Sequence, residues 1–489
     1  MQTDTFNRLR DWYQKTDRQL LITGLKGVGK TYAVLDFAAQ FAKHYIYINF
    51  ETDTAAVEIF EHIAKTGASR TKAESDMLHT ESDMFHTEGV TATSGHTYLA
   101  DLYDAVMAYI GAASLSADEL IILDETAFCG CLGDLISRTT FSALKSRVVL
   151  IDSYASEASC WFSRQGNEDS SRFTRRGNED SRNFLHKDIE NFDIISVYPM
   201  HFGEYLTAID KQWYVDVIRG HFEKHRPVPA MIHEELLDMF DEYMQLGGMP
   251  GVIDEYIRTG RFENADESRR AILNSQCGNF ANNLNEPYID SKMQDILRAL
   301  PLQFIRQNRH FRFNTIRKGV AYKQYEQSIN ALTERGMIYK CLKLNQHQGQ
   351  EEDGRIIPGT EGEDSRNAFR IYPADFGILK TCIKMAGGTE PAILENALTA
   401  SYCAQTLSRR YDELFYWESD GAAYVDFCIF KPNTGLCPIG INTALGSRKR
   451  SLKIYDSNFD PQQIFTISEE NFSSKNKYLN IPLYAVHEL

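Results

Sequence analysis

Eight residues near the amino terminus have the composition and spacing of a loop that binds phosphate groups. Glycines let successive backbone N–H groups converge on phosphate oxygens, a lysine reaches the β- and γ-phosphates, and a following threonine hydroxyl ligates Mg²⁺. The residues are Gly24, Leu25, Lys26, Gly27, Val28, Gly29, Lys30 and Thr31. The sequence therefore predicts that this segment binds ATP or GTP, with Thr31 as a ligand of the metal.

The segments on either side of this loop predict a strand before it and a helix after it. The apolar run Leu20-Leu21-Ile22 precedes the loop, and a helix-like stretch from Tyr32 to Lys43 follows it. The amino terminus of that helix adds partial positive charge beside the phosphates. A turn with only a structural role would not need a lysine followed by a threonine.

A second segment carries two adjacent carboxylates at the end of an apolar run. Residues 119–123 read as a buried strand, and Asp124 and Glu125 follow. In P-loop ATPases such acids hold Mg²⁺ through a water molecule and polarise the attacking water. We therefore predict Asp124 as a metal residue and Glu125 as the general base, while an acid that caps the next helix is the structural alternative. The glutamate after the aspartate favours an ATPase over a small GTPase.

Composition limits the classes to which the chain can belong. It has 489 residues, of which 43% are hydrophobic, enough for two or three separate cores. The net charge of −15 implies that any contact with nucleic acid uses a local patch. The nine cysteines show no metal-binding spacing, which indicates reduced thiols. Without an apolar span or targeting segment, we predict a cytoplasmic protein that does not interact with membranes.

Five apolar runs in the first 200 residues alternate with helix-like segments, which predicts an α/β sheet with helices on both faces. The predicted strands are 19–23, 45–50, 120–124, 147–151 and 193–197. In this branch of ATPases the fourth strand lies between the strand of the phosphate loop and the strand that carries the acids. Ser153 follows the fourth strand and is predicted either to contact the γ-phosphate or to cap a helix.

Two stretches within this first domain each contain a segment that is followed by a near-copy of itself. Residues 74–80 and 81–87 are almost identical, and residues 164–173 and 175–184 share a Gly-Asn-Glu-Asp-Ser motif. A coiled coil or a metal site at His79 and His86 is the alternative, but two polar copies are too few for a coiled coil. We therefore predict insertions near residues 70–90 and 160–186 that take no part in the chemistry.

The region after the first domain reads as helical and then as a winged helix. The predicted ATPase domain spans residues 1–205, and the helical and winged-helix-like region spans residues 206–345. Six basic side chains cluster in the second half of that region, as a DNA-binding face or as a solvated surface. They are Arg306, Arg309, Arg312, Arg317, Lys318 and Lys323.

A polar linker or inserted loop is predicted over residues 346–368, followed by an α/β domain over residues 369–489. A helix from 392 to 407 and three strands match the plan of restriction-endonuclease-like folds, which gather acids and a lysine around a metal. Glu395 and Asp426 fit this plan. Gly440 and Asn442 stand where the third acid and the lysine belong, which predicts a catalytically degenerate site.

Taken together, these segments resemble a prokaryotic family of AAA-type P-loop ATPases that carry a C-terminal restriction-endonuclease-like domain of unknown function. The resemblance implies ATP and Mg²⁺ as cofactors, and an ATP hydrolase that couples nucleotide state to conformational change in a recognition domain. Two alternatives are an ATP-dependent nuclease acting on DNA and a nucleotide-regulated interaction module with little turnover. DNA and a second copy of the chain are the candidate macromolecular partners.

Overall fold

The computed structural model describes most of the chain, and the described residues form two compact units. The amino-terminal unit comprises residues 4–24 and 30–197, and the carboxy-terminal unit comprises residues 25–29 and 198–489. The duplicated segments that we predict as insertions lie outside the described residues. The described ranges are 4–65, 101–112, 119–139, 141, 146–153, 191–277, 291–344, 349–352, 355–358, 368–419 and 421–489.

The amino-terminal unit is built on a parallel sheet of five strands in the order β2-β3-β4-β1-β5. Strand β4 thus lies between the strand before the phosphate loop and the strand of the two acids, as predicted. The predicted P-loop ATPase sheet of α/β class is confirmed, with strand ends within one residue of those expected. The strands are β1 (Gln19–Gly24), β2 (His44–Asn49), β3 (Glu119–Asp124), β4 (Arg147–Asp152) and β5 (Phe192–Val197).

Central strands of this sheet are buried at almost every position, as expected where helices cover both faces of a parallel sheet. One face packs on the helical residues 54–65 and on two further helices through a shared core that includes Leu21, Ile121 and Leu150. Helix α2 begins at Lys30, directly after the glycine-rich loop. The helices are α1 (Asp4–Lys15), α2 (Lys30–Phe41), α3 (Leu102–Ile110) and α4 (Leu132–Arg138).

The carboxy-terminal unit begins with a series of helices joined by short turns. A tight turn at Gly247-Gly248 joins two of them. Gly247 has a φ of +87°, and a Cβ atom there would lie 2.7 Å from the Cα of Gly377, so only glycine fits. The helices are α5 (Phe202–Ala208), α6 (Trp213–Lys224), α7 (Ala230–Leu246), α8 (Pro250–Thr259), α9 (Phe262–Cys277), α10 (Ser291–Ile305), α11 (Tyr322–Glu334), α12 (Phe376–Met385), α13 (Pro391–Leu407) and α14 (Lys449–Phe459).

A mixed sheet of eight strands follows in the order β14-β15-β13-β12-β11-β10-β6-β9. The strand after helix α11 pairs in parallel with β10, so segments on both sides of the predicted linker share one sheet. Strands β7 (Gly349–Glu352) and β8 (Arg355–Pro358) form a separate antiparallel pair. The sheet strands are β6 (Ile338–Lys343), β9 (Phe369–Pro373), β10 (Leu414–Glu418), β11 (Tyr424–Lys431), β12 (Gly435–Ile441), β13 (Ile464–Ser468), β14 (Ser473–Lys475) and β15 (Tyr478–Pro482).

The core of this second sheet is apolar and aromatic. Trp417 on β10 packs edge-on against Tyr455 of helix α14, with ring centroids 5.3 Å apart. Helix α13 is buried along its carboxy-terminal half, from Ala397 to Leu407 with one half-buried position. Across the described residues, no helix is both long and apolar enough to cross a membrane.

Candidate functional site

The phosphate loop begins where strand β1 ends, at a backbone position that only glycine can occupy. Gly24 has a φ of +145°, and a Cβ atom there would lie 2.2 Å from the carbonyl oxygen of Val197. Gly27 and Gly29 each have a φ of +88°, in the left-handed region that glycine adopts without strain. The predicted glycines therefore give the loop a path that side chains would block.

Lys30 is buried at the start of helix α2, with 4% of its surface exposed. Its ammonium group donates to the carbonyl oxygen of Gly24 at 2.8 Å and to the Ser153 hydroxyl at 2.9 Å. A buried ammonium group must be compensated by such partners because losing its hydration is costly. These two hydrogen bonds hold the Lys30 ammonium group against the loop backbone and beside Ser153, at the end of strand β4.

Ser153 connects this lysine to the predicted general base. Its hydroxyl donates to Oε1 of Glu125 at 2.5 Å, so Lys30, Ser153 and Glu125 form one hydrogen-bonded chain. All three side chains are buried. Glu125 has a φ of +52°, a conformation that costs a residue with a side chain about 1–3 kcal/mol and that clusters at functional sites. The residues after Ser153 lie outside the described ranges, so its helix-capping alternative stays a prediction.

Asp124 is almost fully buried, and hydroxyl and amide groups surround its carboxylate. Its Oδ2 accepts from the Thr31 hydroxyl at 2.8 Å, from the Tyr47 hydroxyl at 2.8 Å and from the Asn49 amide at 3.2 Å. Its Oδ1 accepts from the backbone N–H of Glu125 at 2.9 Å. The two predicted metal residues, Thr31 and Asp124, are therefore in direct contact.

Sequence reasoning missed Tyr47 and Asn49 on strand β2. Asn49 pairs in register with Asp124, so the two side chains meet at the same edge of the sheet. A polar residue at the end of a neighbouring parallel strand was the available signal. Burial raises the pKa of Tyr47 to about 12, and the nearby Asp124 carboxylate contributes in the same direction.

The chemistry of these groups fits a nucleotide with Mg²⁺. A carboxylate and a threonine hydroxyl are oxygen ligands, which Mg²⁺ prefers, and it usually keeps several waters and takes further oxygens from the phosphates. Lys30 supplies a cation and the loop supplies backbone donors. Among the described residues, no group of three or more His, Cys, Asp or Glu side chains is arranged to hold a metal. A metal at Asp124 would thus depend on the threonine and the nucleotide for its remaining ligands.

Residues 25–29 of the loop pack within the carboxy-terminal unit. The side chains of Leu25 and Val28 are buried. The amide of Gln276 on helix α9 donates to the backbone oxygen of Lys26 at 2.7 Å. A Cβ atom on Gly27 would lie 3.3 Å from the Cε atom of Met249. Residues 25–29 therefore pack against helix α9 and the turn before helix α8.

The second set of predicted acids lies on the eight-stranded sheet. Asp426 on β11 is buried, and its Oδ2 accepts from the Arg448 Nε atom at 3.0 Å and from the Ile441 backbone N–H at 2.9 Å. Gly440 lies opposite Asp426, because the adjacent residues Phe427 and Ile439 pair in register. A Cβ atom on Gly440 would lie 2.6 Å from the Cβ of Arg448. An arginine thus occupies the space beside the aspartate where a third carboxylate was sought.

The two remaining positions of that predicted constellation have structural contacts. Glu395 is exposed on helix α13, and its Oε1 accepts from the backbone N–H of Ala444 at 3.2 Å. The Asn442 side-chain oxygen accepts from the backbone N–H of Arg448 at 2.9 Å and so helps to fix the start of helix α14. Neither contact brings a second acid onto Asp426.

The predicted basic cluster is a set of exposed side chains between the end of helix α10 and the first turn of helix α11. All six cations are exposed, and within the described ranges none forms an ion pair with a carboxylate. Their positive charge is thus available to an external partner. The cluster consists of Arg306, Arg309, Arg312, Arg317, Lys318 and Lys323.

The strand order, the glycine-rich loop and the acid pair together define the amino-terminal unit as a P-loop ATPase fold. Comparison with known families finds one match, to a domain of unknown function (DUF8612) over residues 237–388. That domain covers less than half of the chain. No curated protein matches the sequence.

Several solved structures resemble the chain weakly. A Walker-type ATPase of Pyrococcus abyssi is 15% identical, covers 78% of this chain and 94% of its own, and has a TM-score of 0.38. The ORC1 protein of Aeropyrum pernix, solved in complex with DNA, is 12% identical over 78% of this chain and 91% of its own, with a TM-score of 0.27. Cdc6p from Pyrobaculum aerophilum is 12% identical over 77% and 91%, with a TM-score of 0.24.

Proposed function

We propose that the protein is an ATPase of the AAA type that binds ATP with Mg²⁺ at the phosphate loop and hydrolyses it. The observation that carries this proposal is the hydrogen-bonded chain from Lys30 through Ser153 to Glu125, beside the contact between Thr31 and Asp124. This arrangement gathers a phosphate-binding cation, a metal ligand and a candidate base at one edge of the sheet. These are the groups that phosphoryl transfer to water requires.

Each residue has a separate role in this proposal. Lys30 binds the β- and γ-phosphate oxygens, and Thr31 and Asp124 hold Mg²⁺. Glu125 accepts a proton from the attacking water, which a carboxylate held in a fixed position can do. Ser153 lies between Lys30 and Glu125, so a γ-phosphate that attracts the lysine also changes the contacts of the base. Mg²⁺ would neutralise charge that develops on the phosphates.

The test of this function is ATP binding and turnover by the full chain. Lys30→Ala removes the phosphate-binding cation and should weaken Mg-ATP binding by about tenfold or more, since hydrogen bonds to charged groups contribute about 1.5–3 kcal/mol. Lys65→Ala is the matched control, because Lys65 is exposed and its pair with Glu61 lies on the surface of the same helix. Equal affinities for the parent and the Lys30→Ala protein would refute the site.

The proposal extends to the carboxy-terminal unit as a recognition domain with a restriction-endonuclease-like sheet. The Arg448 guanidinium pairs with Asp426, and the close approach of Arg448 excludes a side chain at position 440. A catalytic metal needs uncompensated carboxylates, and Asn442 stands at the position of the lysine that would stabilise the developing charge. We therefore expect no cleavage of linear, branched or single-stranded DNA with Mg²⁺ or Mn²⁺, which would exclude the ATP-dependent nuclease.

Coupling between the nucleotide and this domain can be measured without knowing its partner. ATP binding should change the assembly state on a sizing column or alter amide hydrogen exchange in residues 369–489. A chain that binds ATP, turns it over very slowly and shows neither change would support the nucleotide-regulated interaction module. Turnover assays with and without DNA separate these two functions.

DNA binding is a second candidate function, favoured by the six exposed cations of the basic cluster. Neutralising phosphates with such side chains releases counterions, so affinity falls steeply with salt. Arg317→Gln and Lys318→Gln together should weaken duplex binding and reduce its salt dependence. Unchanged salt dependence would assign the cluster to a solvated surface.

A further inference from the structure

A cavity of about 380 Å³ lies within the carboxy-terminal unit, at the edge of the eight-stranded sheet that carries Asp426. Helices α10 and α13 and strands β9 and β11 contribute to its walls. Its volume is within the range of sites that bind small molecules, roughly 300–1,000 Å³. The cavity therefore has room for a ligand of about the size of a mononucleotide.

Three arginines line the cavity, namely Arg309, Arg370 and Arg448. Among the described residues of its lining, Asp426 is the one carboxylate, and it is paired with Arg448. The described lining thus carries two positive charges in excess. Such a cavity attracts an anion, and the surplus matches the charge of a phosphate monoester.

Aromatic rings hold these guanidinium groups in place. The guanidinium carbons of Arg448 and Arg309 lie 4.1 Å and 4.8 Å from the centroid of the Tyr424 ring. Arg370 lies 4.2 Å from the Tyr416 ring, and its Nε donates to the backbone oxygen of Arg309 at 2.6 Å. Stacking orders a guanidinium without using its N–H groups, which remain able to bind a planar or tetrahedral oxyanion.

The hydrogen bonds of the cavity leave donors for a ligand. The Arg448 Nε atom donates a hydrogen bond to Asp426. Its terminal nitrogens form no hydrogen bond within the described ranges. The Arg309 guanidinium likewise stacks on Tyr424 without a hydrogen bond to a described residue. His310, also in the lining, has a buried Nδ1 atom without a partner among the described residues. Asn308 and Asn396 add amide groups to the wall.

We propose that this cavity binds a phosphate monoester of mononucleotide size, with the phosphate on Arg309 and Arg448. Asp426 then acts as a positioning residue that orients Arg448, and not as a ligand of a metal. The proposal does not depend on ATP binding at the phosphate loop, because every residue in it belongs to the carboxy-terminal unit. The phosphate group could be supplied by a free mononucleotide or by the 5′ end of a nucleic acid strand.

The test is calorimetric titration of the full chain with AMP. Arg309→Gln should weaken AMP binding by about tenfold or more, since a charge-assisted hydrogen bond is lost. Arg309→Lys should recover part of the affinity, because it keeps the charge without the forked donors. Arg309 is exposed and contacts an aromatic face, so its variants should fold, as circular dichroism would verify. Arg450→Gln is the matched control, because Arg450 is exposed on helix α14 and lies outside both the cavity lining and the basic cluster.

Two further measurements separate this site from the phosphate loop and identify the source of the phosphate. Lys30→Ala should bind AMP as the parent does, and Arg309→Gln should bind ATP at the loop as the parent does. A 5′-phosphorylated oligonucleotide that binds better than its 5′-hydroxyl form, with loss in Arg309→Gln, would support the proposal and name a strand end as the ligand. The proposal is overturned if neither ligand binds at millimolar concentration, if Arg450→Gln loses as much affinity as Arg309→Gln, or if Lys30→Ala abolishes AMP binding.

Discussion

Asp124 and Asp426 are both buried carboxylates on sheet strands, yet their neighbours give them different chemistry. Around Asp124 the donors are neutral: the hydroxyls of Thr31 and Tyr47 and the amide of Asn49. Around Asp426 the principal donor is the Arg448 guanidinium. Neutral donors leave the negative charge of a carboxylate available to a divalent cation, whereas a paired arginine already balances that charge. The two aspartates thus differ in the partners that surround them, and we propose different roles for them on that basis.

The largest expected effect comes from removing the cation beside Asp426. The side chains of Arg448 and Asp426 are 11% and 10% exposed, so Arg448→Met leaves a carboxylate buried without compensation. Losing one partner of a buried pair costs about 3–5 kcal/mol, measured as the free energy of unfolding in urea. The double variant Arg448→Met with Asp426→Asn should recover most of that loss. If Arg448→Met alone were neutral, the contrast between the two aspartates would fail.

A third carboxylate introduced beside Asp426 should also destabilise the sheet. Gly440→Glu would place its Cβ atom 2.6 Å from that of Arg448 and 2.9 Å from Leu452, and such overpacking costs about 1–3 kcal/mol. Gly421→Glu is the control, because a Cβ atom there would meet only the Ser419 hydroxyl at 3.7 Å. Equal thermal stability for the two variants would show that the position can accept the missing acid.

Removing the Thr31 hydroxyl beside Asp124 should change the Mg²⁺ dependence of ATP turnover more than it changes the stability of the fold. Thr31→Val keeps the shape of the side chain but removes a metal ligand and the contact with Asp124. We expect the Mg²⁺ concentration for half-maximal ATP turnover to rise by about tenfold or more. Thr31→Ser retains the hydroxyl and should resemble the parent. A similar rise in both variants would mean that the hydroxyl is not a ligand.

The smallest effect is expected at Tyr47, beside Asp124, and concerns how the free energy of unfolding changes with pH. The pKa of Tyr47 is raised in the folded protein to about 12, from 10.0. A raised pKa stabilises the protonated form, so this contribution is complete below pH 10 and is lost as the pH rises through about 12. Tyr47→Phe should therefore lose stability less steeply than the parent over that interval. Tyr45→Phe, at an exposed position, should follow the parent curve.

The sequence predicted the first sheet well because its strands depend on local patterns. Apolar runs of three and four residues mark β1 and β3, and the loop and the acid pair come at the ends of these strands. The contacts of Tyr47 and Asn49 with Asp124 depend on β2 lying next to β3. Strand order is a non-local property that no single segment of the chain records.

The carboxy-terminal unit shows the same limit more strongly. The absence of the third acid and the lysine was visible in the sequence, at Gly440 and Asn442. The pairing of Arg448 with Asp426 was not, because that arginine follows Asp426 by 22 residues and reaches it through helix α14 and the register of β11 with β12. The joining of β6 and β9 to β10 in one sheet likewise required the three-dimensional structure.

We propose Glu125 as the base of an ATP hydrolase, and nucleotide turnover by its amide variant is the direct test. The Glu125→Gln protein is mixed with Mg-ATP, and bound nucleotide and released phosphate are followed together. General-base catalysis contributes about 10²–10⁴-fold, so turnover should fall by that factor while ATP remains bound and intact. Asp134→Asn, an exposed acid on helix α4, is the matched control and should behave as the parent. Phosphate release by Glu125→Gln at the parent rate would contradict the account.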